Sequence, residues 1–187
     1  MVEIAITGTG IVSALGTDCA EFHSRMQAGE TAIKASPWAT EVDGRDAWQA
    51  VIEDFDPADW MDSRIEDGTD LFAQFTLAAA QQAVDEAGMG ELDPLRTAVV
   101  HGTSIGCVRA VMKAQHALDK NGPGAVPRKT QIQIWPNMAA AQGAMRFGLH
   151  GPSLTVTTAC ASSLDAIGTA ARIIERGDAD VAITGGT

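Results

Sequence analysis

The run Leu154-Thr155-Val156-Thr157-Thr158-Ala159-Cys160-Ala161-Ser162-Ser163 places a thiol where a buried strand is expected to turn into a helix. A helix N-terminus carries partial positive charge and unpaired N–H groups, which favour a thiolate over a thiol and can hydrogen-bond an oxyanion. In such positions a cysteine pKa falls from about 8.5 toward roughly 3.5–7.5. Cys160 is therefore the candidate nucleophile for an acyl carbonyl, and the competing reading is a small buried hydrophobe. Cys19 and Cys107 are expected to pack in or near helices without chemistry. Three widely spaced cysteines make no disulfide framework. The four histidines, His23, His101, His116 and His150, are scattered too, and no CxxC or close Cys/His pair offers a zinc site. Gly8-Thr9-Gly10, after a β-branched run, invites a dinucleotide-binding reading. However, Ser13 stands where that fingerprint needs a third glycine, and no acidic residue closes a second strand about 20 residues on. A tight turn is the preferred reading, and neither a GxxxxGK[ST] phosphate loop nor a GxSxG elbow occurs.

The elements that must position these residues are legible from pattern. Val2 to Thr7 reads as a strand. Asp18 caps a helix, with Glu21 completing a capping box and Gly29 ending it. Residues 30–69, rich in Trp, Pro and acidic side chains, read as an irregular excursion. Asp70 caps a strong helix over Leu71 to Ala87, with Leu71, Phe75, Ala78, Ala79, Ala83 and Ala87 at helical spacing and Gly88 beyond. Thr97 to His101 reads as a buried strand, followed by a helix from Cys107 to Lys120 that stops at Asn121-Gly122-Pro123-Gly124. Pro136 opens an alanine-rich helix closing at Gly148. Leu154 to Thr158 is the next strand, Cys160 to Arg176 the next helix, and Val181 to Thr184 the last strand. Strands alternating with long helices predict an α/β, doubly wound fold around a mainly parallel sheet.

Composition narrows the function classes. The chain has 187 residues with 24 acidic and 13 basic side chains, a formal net charge of −11. A hydrophobic fraction of 45% marks a packed protein rather than an extended disordered one. A pI near 4.6 argues against nucleic acid, whose affinity comes from cations neutralising phosphates. No run of about 18 apolar residues could span a bilayer, and Met1-Val2-Glu3-Ile4 shows no basic region ahead of an apolar stretch. The expected location is the cytoplasm.

Five stretches, in order, resemble the elongating β-ketoacyl–acyl carrier protein synthases of the thiolase superfamily. They are Ile6-Thr7-Gly8-Thr9-Gly10-Ile11-Val12-Ser13-Ala14-Leu15-Gly16; Phe72-Ala73-Gln74-Phe75 with Leu77-Ala78-Ala79-Ala80; His101-Gly102-Thr103-Ser104-Ile105-Gly106; Gly148-Leu149-His150-Gly151-Pro152-Ser153 leading into Thr158 to Ser163; and Arg176-Gly177-Asp178-Ala179-Asp180 leading into Thr184-Gly185-Gly186-Thr187. The resemblance implies a thiolase-type fold of two similar α/β halves, with residues 1–187 as the N-terminal half carrying a mainly parallel five-stranded sheet. It implies that Cys160 takes an acyl chain from a carrier thioester and condenses it with a malonyl thioester that loses carbon dioxide, in fatty acid or polyketide synthesis. It calls for no cofactor, for acyl carrier protein as partner, and for a homodimer or a heterodimer with a related subunit. Two assisting histidines of that family lie beyond Thr187, and none of the four histidines here matches them. Ile105 matches an apolar gate residue at the floor of the acyl pocket, against a competing reading as plain core packing.

The sequence departs from the family pattern in three places. The chain stops where the family would be less than halfway through. Met61 to Asp70 carries Glu66 and Asp67 where many relatives carry basic residues, which weakens the expectation that acidic carrier proteins dock there. Pro127 to Asn137 is a few residues shorter than in relatives. Two rival readings are an acyltransferase without condensation and a non-catalytic, chain-length-determining partner subunit. The retained Cys160 argues against the second, because such subunits typically have that cysteine replaced.

Overall fold

The computed structural model describes residues 3–36 and 47–187; Val2 and Trp38 lie outside them. Helix α1 (Cys19–Gln27) starts where the Asp18 carboxylate accepts the Glu21 N–H, and it ends ahead of Gly29 in the left-handed region (φ +73°). The Glu21 carboxylate reaches back to the Thr17 N–H, one residue further than a capping box requires. The excursion holds short elements that periodicity does not reveal. They are an antiparallel pair, β1 (Lys34–Ala35) with β2 (Trp48–Gln49), a 3-10 turn at Pro57–Asp59, and α2 (Ser63–Gly68), capped by Asp62.

Helix α3 (Leu71–Ala87) has the expected bounds, with Asp70 as N-cap and Gly88 left-handed at its end. Its buried face is rotated from the expected one: Phe72, Ala73, Gln74, Leu77, Ala78 and Ala80 are the buried positions. The reason is a second neighbour. Residues 7–11 run along the other side of α3 and residues 3–12 join no strand ladder, so the described part, 3–7, of the strand expected over Val2 to Thr7 is not a strand. There, a Cβ on Gly8 would lie 2.0 Å from Ala83 O and one on Gly10 1.9 Å from Ala79 O. These glycines serve backbone-to-helix contact rather than the tight turn their spacing suggests. Glu86 accepts from Thr9 N–H and Oγ1–H, and Gln82 bonds both the N–H and the carbonyl of Ile11. Those two hydrogen bonds to Thr9 hold the Glu86 carboxyl below its ordinary pKa.

Strand β3 (Thr97–Gly102) is buried at every residue. Helix α4 (Val108–Asn121) follows, then a 3-10 turn, the short α5 (Thr130–Gln133) and α6 (Met138–Arg146). Strand β4 (Ser153–Val156), helix α7 (Ser162–Glu175) and β5 (Val181–Gly186) complete the chain. The three strands form one parallel sheet in the order β4-β3-β5. This replaces the expected five strands, because strand pairing is non-local and residues 7–11 are held by α3 instead. The β3-to-β4 and β4-to-β5 connections cross the sheet in opposite directions, so right-handed crossovers must place α6 and α7 on opposite faces. Side-chain alternation agrees. Val100 and Ala98 pack with Ala166, Ala170 and Ile173 of α7, whereas Val99 packs with Ala140 and Leu149 on the α6 side. At the N-terminal edge of the sheet, the Arg96 guanidinium grips both Asp180 carboxylate oxygens (2.6 and 3.0 Å) and the Gly177 carbonyl.

Candidate active site

In an open parallel sheet, ligands bind beyond the carboxyl ends of the strands, where connections diverge. Here those ends are unusually close to the first turn of α7. A Cβ on Gly102 would lie 2.2 Å from Ser162 O, and one on Gly186 2.3 Å from both Gly102 O and the Ser163 hydroxyl. Only glycine lets β3 and β5 end against that turn. The loop after β3 carries Ile105 and the loop after β4 carries Cys160. The two strands are in register through Gly102 and Val156, and Thr103 N–H donates to Val156 O at 3.1 Å. Both sequence-predicted residues therefore stand on neighbouring loops at one edge of the sheet.

Cys160 is exposed, which overturns the reading of it as a small buried hydrophobe. It also lies outside the helix expected to begin with it. Ala161 is the N-cap, and α7 starts at Ser162. Ala159, just before the thiol, has φ +53°, the only non-glycine residue in the left-handed region among the described residues. An alanine there costs of order 1 kcal/mol and persists only where the surroundings enforce it. The enforcing groups are visible. The buried Ser162 hydroxyl donates to Ala159 O (2.6 Å) and accepts the Thr158 N–H (2.9 Å), while Thr158 Oγ1 donates to Asp165 (2.5 Å). The result is a fixed, sharp strand-to-helix corner with its sulfur outward. Sequence pattern alone misses Ala159, Ser162 and Asp165; the only available signal is the run of small residues around the thiol.

Ile105 is 61% exposed, so it is not a core-packing residue in this chain. Cys107 is buried at the N-cap of α4 with its thiol donating to Ile134 O and Ile105 O, and burial pushes its pKa up. Cys19 is half-buried, at the first residue of α1. His101 is buried at the end of β3 and faces α3, its ring 6.5 Å from Phe72. Its Nε2 lies 3.1 Å from the Thr187 hydroxyl, which is also within hydrogen-bond distance of Phe72 O and the Thr76 hydroxyl. Burial lowers its pKa to about 4, which leaves it neutral at pH 7. It braces the exits of β3 and β5 and does not hydrogen-bond Cys160. Among the described residues no group of three or more His, Cys, Asp or Glu could hold a metal ion, and no helix is long and apolar enough to cross a membrane.

Known proteins are similar to this chain in sequence and in architecture. The 3-oxoacyl-[acyl-carrier-protein] synthase 2 of Coxiella burnetii is 34% identical over 99% of this chain and 45% of its own length. That of Rhizobium meliloti is 33% identical over 100% of this chain and 47% of its own. The chain thus spans under half the length of these relatives. Among solved structures, the ishigamide ketosynthase/chain length factor superposes with a TM-score of 0.87 at 27% identity, covering 97% of this chain and 46% of that one. The expected thiolase-type α/β architecture holds. The profile of the family described as "Beta-ketoacyl synthase, N-terminal domain" matches residues 1–187, and the chain belongs to the β-ketoacyl synthase family.

Proposed function

We propose that the protein containing this chain is a β-ketoacyl–acyl carrier protein synthase of fatty acid or polyketide synthesis, with Cys160 as its acyl-accepting nucleophile. The observation that carries this reading is an exposed thiol on a rigid strand-to-helix corner, at the carboxyl ends of parallel strands, in a chain of this family. Cys160 gives up its thiol proton to solvent and its thiolate attacks the carbonyl of a carrier-bound acyl thioester; the C–S bond to the carrier breaks, and the carrier sulfur leaves as a thiolate that takes a proton back from solvent. A malonyl thioester then loses carbon dioxide, its C2 forms a bond to the acyl carbonyl carbon, and Cys160 departs as thiolate. The N-terminal end of α7 favours the negative charge that develops beside it. The histidines assisting the second step belong to the remainder of the protein, since His101 is engaged elsewhere and His23, His116 and His150 match no family position.

Ile105, exposed on the adjoining loop, is the proposed floor of the acyl pocket. Acyl carrier protein is the proposed partner, a homodimer or a ketosynthase heterodimer the proposed assembly, and the cytoplasm the proposed location. Retention of Cys160 favours the catalytic reading over the chain-length-partner reading. The test is to incubate the full-length protein with acyl and malonyl carriers and detect the 3-ketoacyl product by mass spectrometry. The wild type should form it and Cys160→Ala should not; equal product from both would refute the assignment.

A further inference from the structure

Helix α4 carries Arg109, Lys113, His116 and Lys120 at intervals of four, three and four residues, the spacing of one helical face. All four are exposed. Neither Arg109 nor Lys113 forms an ion pair with any described residue. Both line a hollow of about 190 Å³ with Thr69, Asp70 and Gln133. In a chain of net charge −11, α4 carries three of the 13 Lys and Arg residues on one face against a single carboxylate, Asp119. The neighbouring surface is of opposite character. Helix α2 bears Glu66 and Asp67, with Asp62 as its cap and Arg64 as its single cation. Asp67 lies 3.3 Å from Lys129, so α2 neutralises the nearest cation instead of adding to it. The stripe also begins within one turn of the site loop, because α4 starts three residues after Ile105.

We infer that α4, and not α2, is the docking surface for an acidic protein partner, through Arg109 and Lys113 with Lys120 behind them. Resting on the proposed function, the partner is the acyl carrier protein, an acidic protein whose negative surface complements the stripe and whose thioester must reach the loop at which α4 begins. Opposite surface charges steer encounter and fix register, and their effect weakens with salt.

The experiment uses the full-length protein and a purified, fluorescently labelled bacterial holo-acyl carrier protein, with anisotropy read at low and high salt. Arg109→Glu/Lys113→Glu should weaken binding by about tenfold at low salt, and the difference should shrink at high salt. Arg64→Glu on α2 should change it less than about twofold, as expected of an isolated surface charge. If the reversal variant loses its far-UV dichroism, Arg109→Gln/Lys113→Gln takes its place and should weaken binding in the same direction. Wild-type affinity in the α4 variants, a larger loss in Arg64→Glu, or no carrier binding by the wild type would overturn the inference. Acylation of Cys160 by a small soluble acyl thioester, which has no carrier to dock, reports the underlying function separately. Acylation without α4-dependent docking refutes only the surface, whereas no acylation from either donor refutes the function itself.

Discussion

Cys160 and Cys107 are the same side chain in two environments, and the difference predicts their chemistry. Cys160 stands exposed on the corner before α7, while Cys107 is buried, donates to two carbonyls and has its pKa pushed up. Limiting iodoacetamide should therefore modify Cys160 first, with Cys107 labelled only on unfolding, as read by peptide mapping. Preferential labelling of Cys19 or Cys107 would count against the nucleophile. The thiol was legible because a strand-to-helix junction can be read from local pattern. Ala159 and Ser162 were not, since a left-handed alanine and the hydroxyl that enforces it are set by how the corner packs. His101 gives a pH test. Its pKa falls from 6.5 unfolded to about 4 folded, so in that window the unfolded chain binds the extra proton. Stability should be full at neutral pH and fall as pH drops from 6.5 toward 4, by about 3 kcal/mol from this group. Urea unfolding of the full-length protein should lose part of that slope in His101→Gln, and an unchanged slope would show that the ring is not buried in its neutral form.

At the scale of elements, the best-read helix was α3, because its caps are local. Asp70 and Gly88 mark its ends in sequence and in structure. Its buried face is not legible from spacing, because alanines on both sides make it apolar around most of its circumference, and the contact of Gly8 and Gly10 with Ala83 and Ala79 is long-range. The same non-locality hid the fate of the first strand. Helix α7 starts two residues later than its pattern predicts, since small residues around Cys160 fit a corner as well as a helix. The glycines at the site are a test of this packing. Gly102→Ala would drive a Cβ to 2.2 Å from Ser162 O, backbone against backbone. It should destabilise by about 1–3 kcal/mol or more and slow acylation of Cys160 by shifting α7. Gly124→Ala, with nothing within 4 Å of the added Cβ, should be neutral or stabilise by up to about 1 kcal/mol. Thermal unfolding of the two variants in the full-length protein distinguishes them; equal melting temperatures would mean that the strand ends do not meet α7 so closely.

At the scale of the whole molecule, one face of α7 is packed and the other is not. Ala166, Ala170 and Ile173 are buried against the sheet, while Leu164 is 74% and Ile167 40% exposed. Those two lie in the apolar stripe expected to meet the second half of a thiolase-type fold, and covering each fully is worth about 1.5–3 kcal/mol. Against a total stability of roughly 5–15 kcal/mol for a small domain, residues 1–187 alone should aggregate, form oligomers or lose fixed packing. Sedimentation velocity with near-UV dichroism, reported by Trp48, Trp60 and Trp135, would detect this. A cooperative, well-packed monomer of 19.5 kDa would contradict the half-fold account. The central claim, that Cys160 carries the acyl chain, is tested most directly by locating that chain. Full-length protein incubated with an acyl-loaded carrier, digested and mapped by mass spectrometry, should show the acyl mass on the peptide containing Cys160 and lose it in Cys160→Ala. Acylation at another residue, or acylation that persists in Cys160→Ala, would contradict the account.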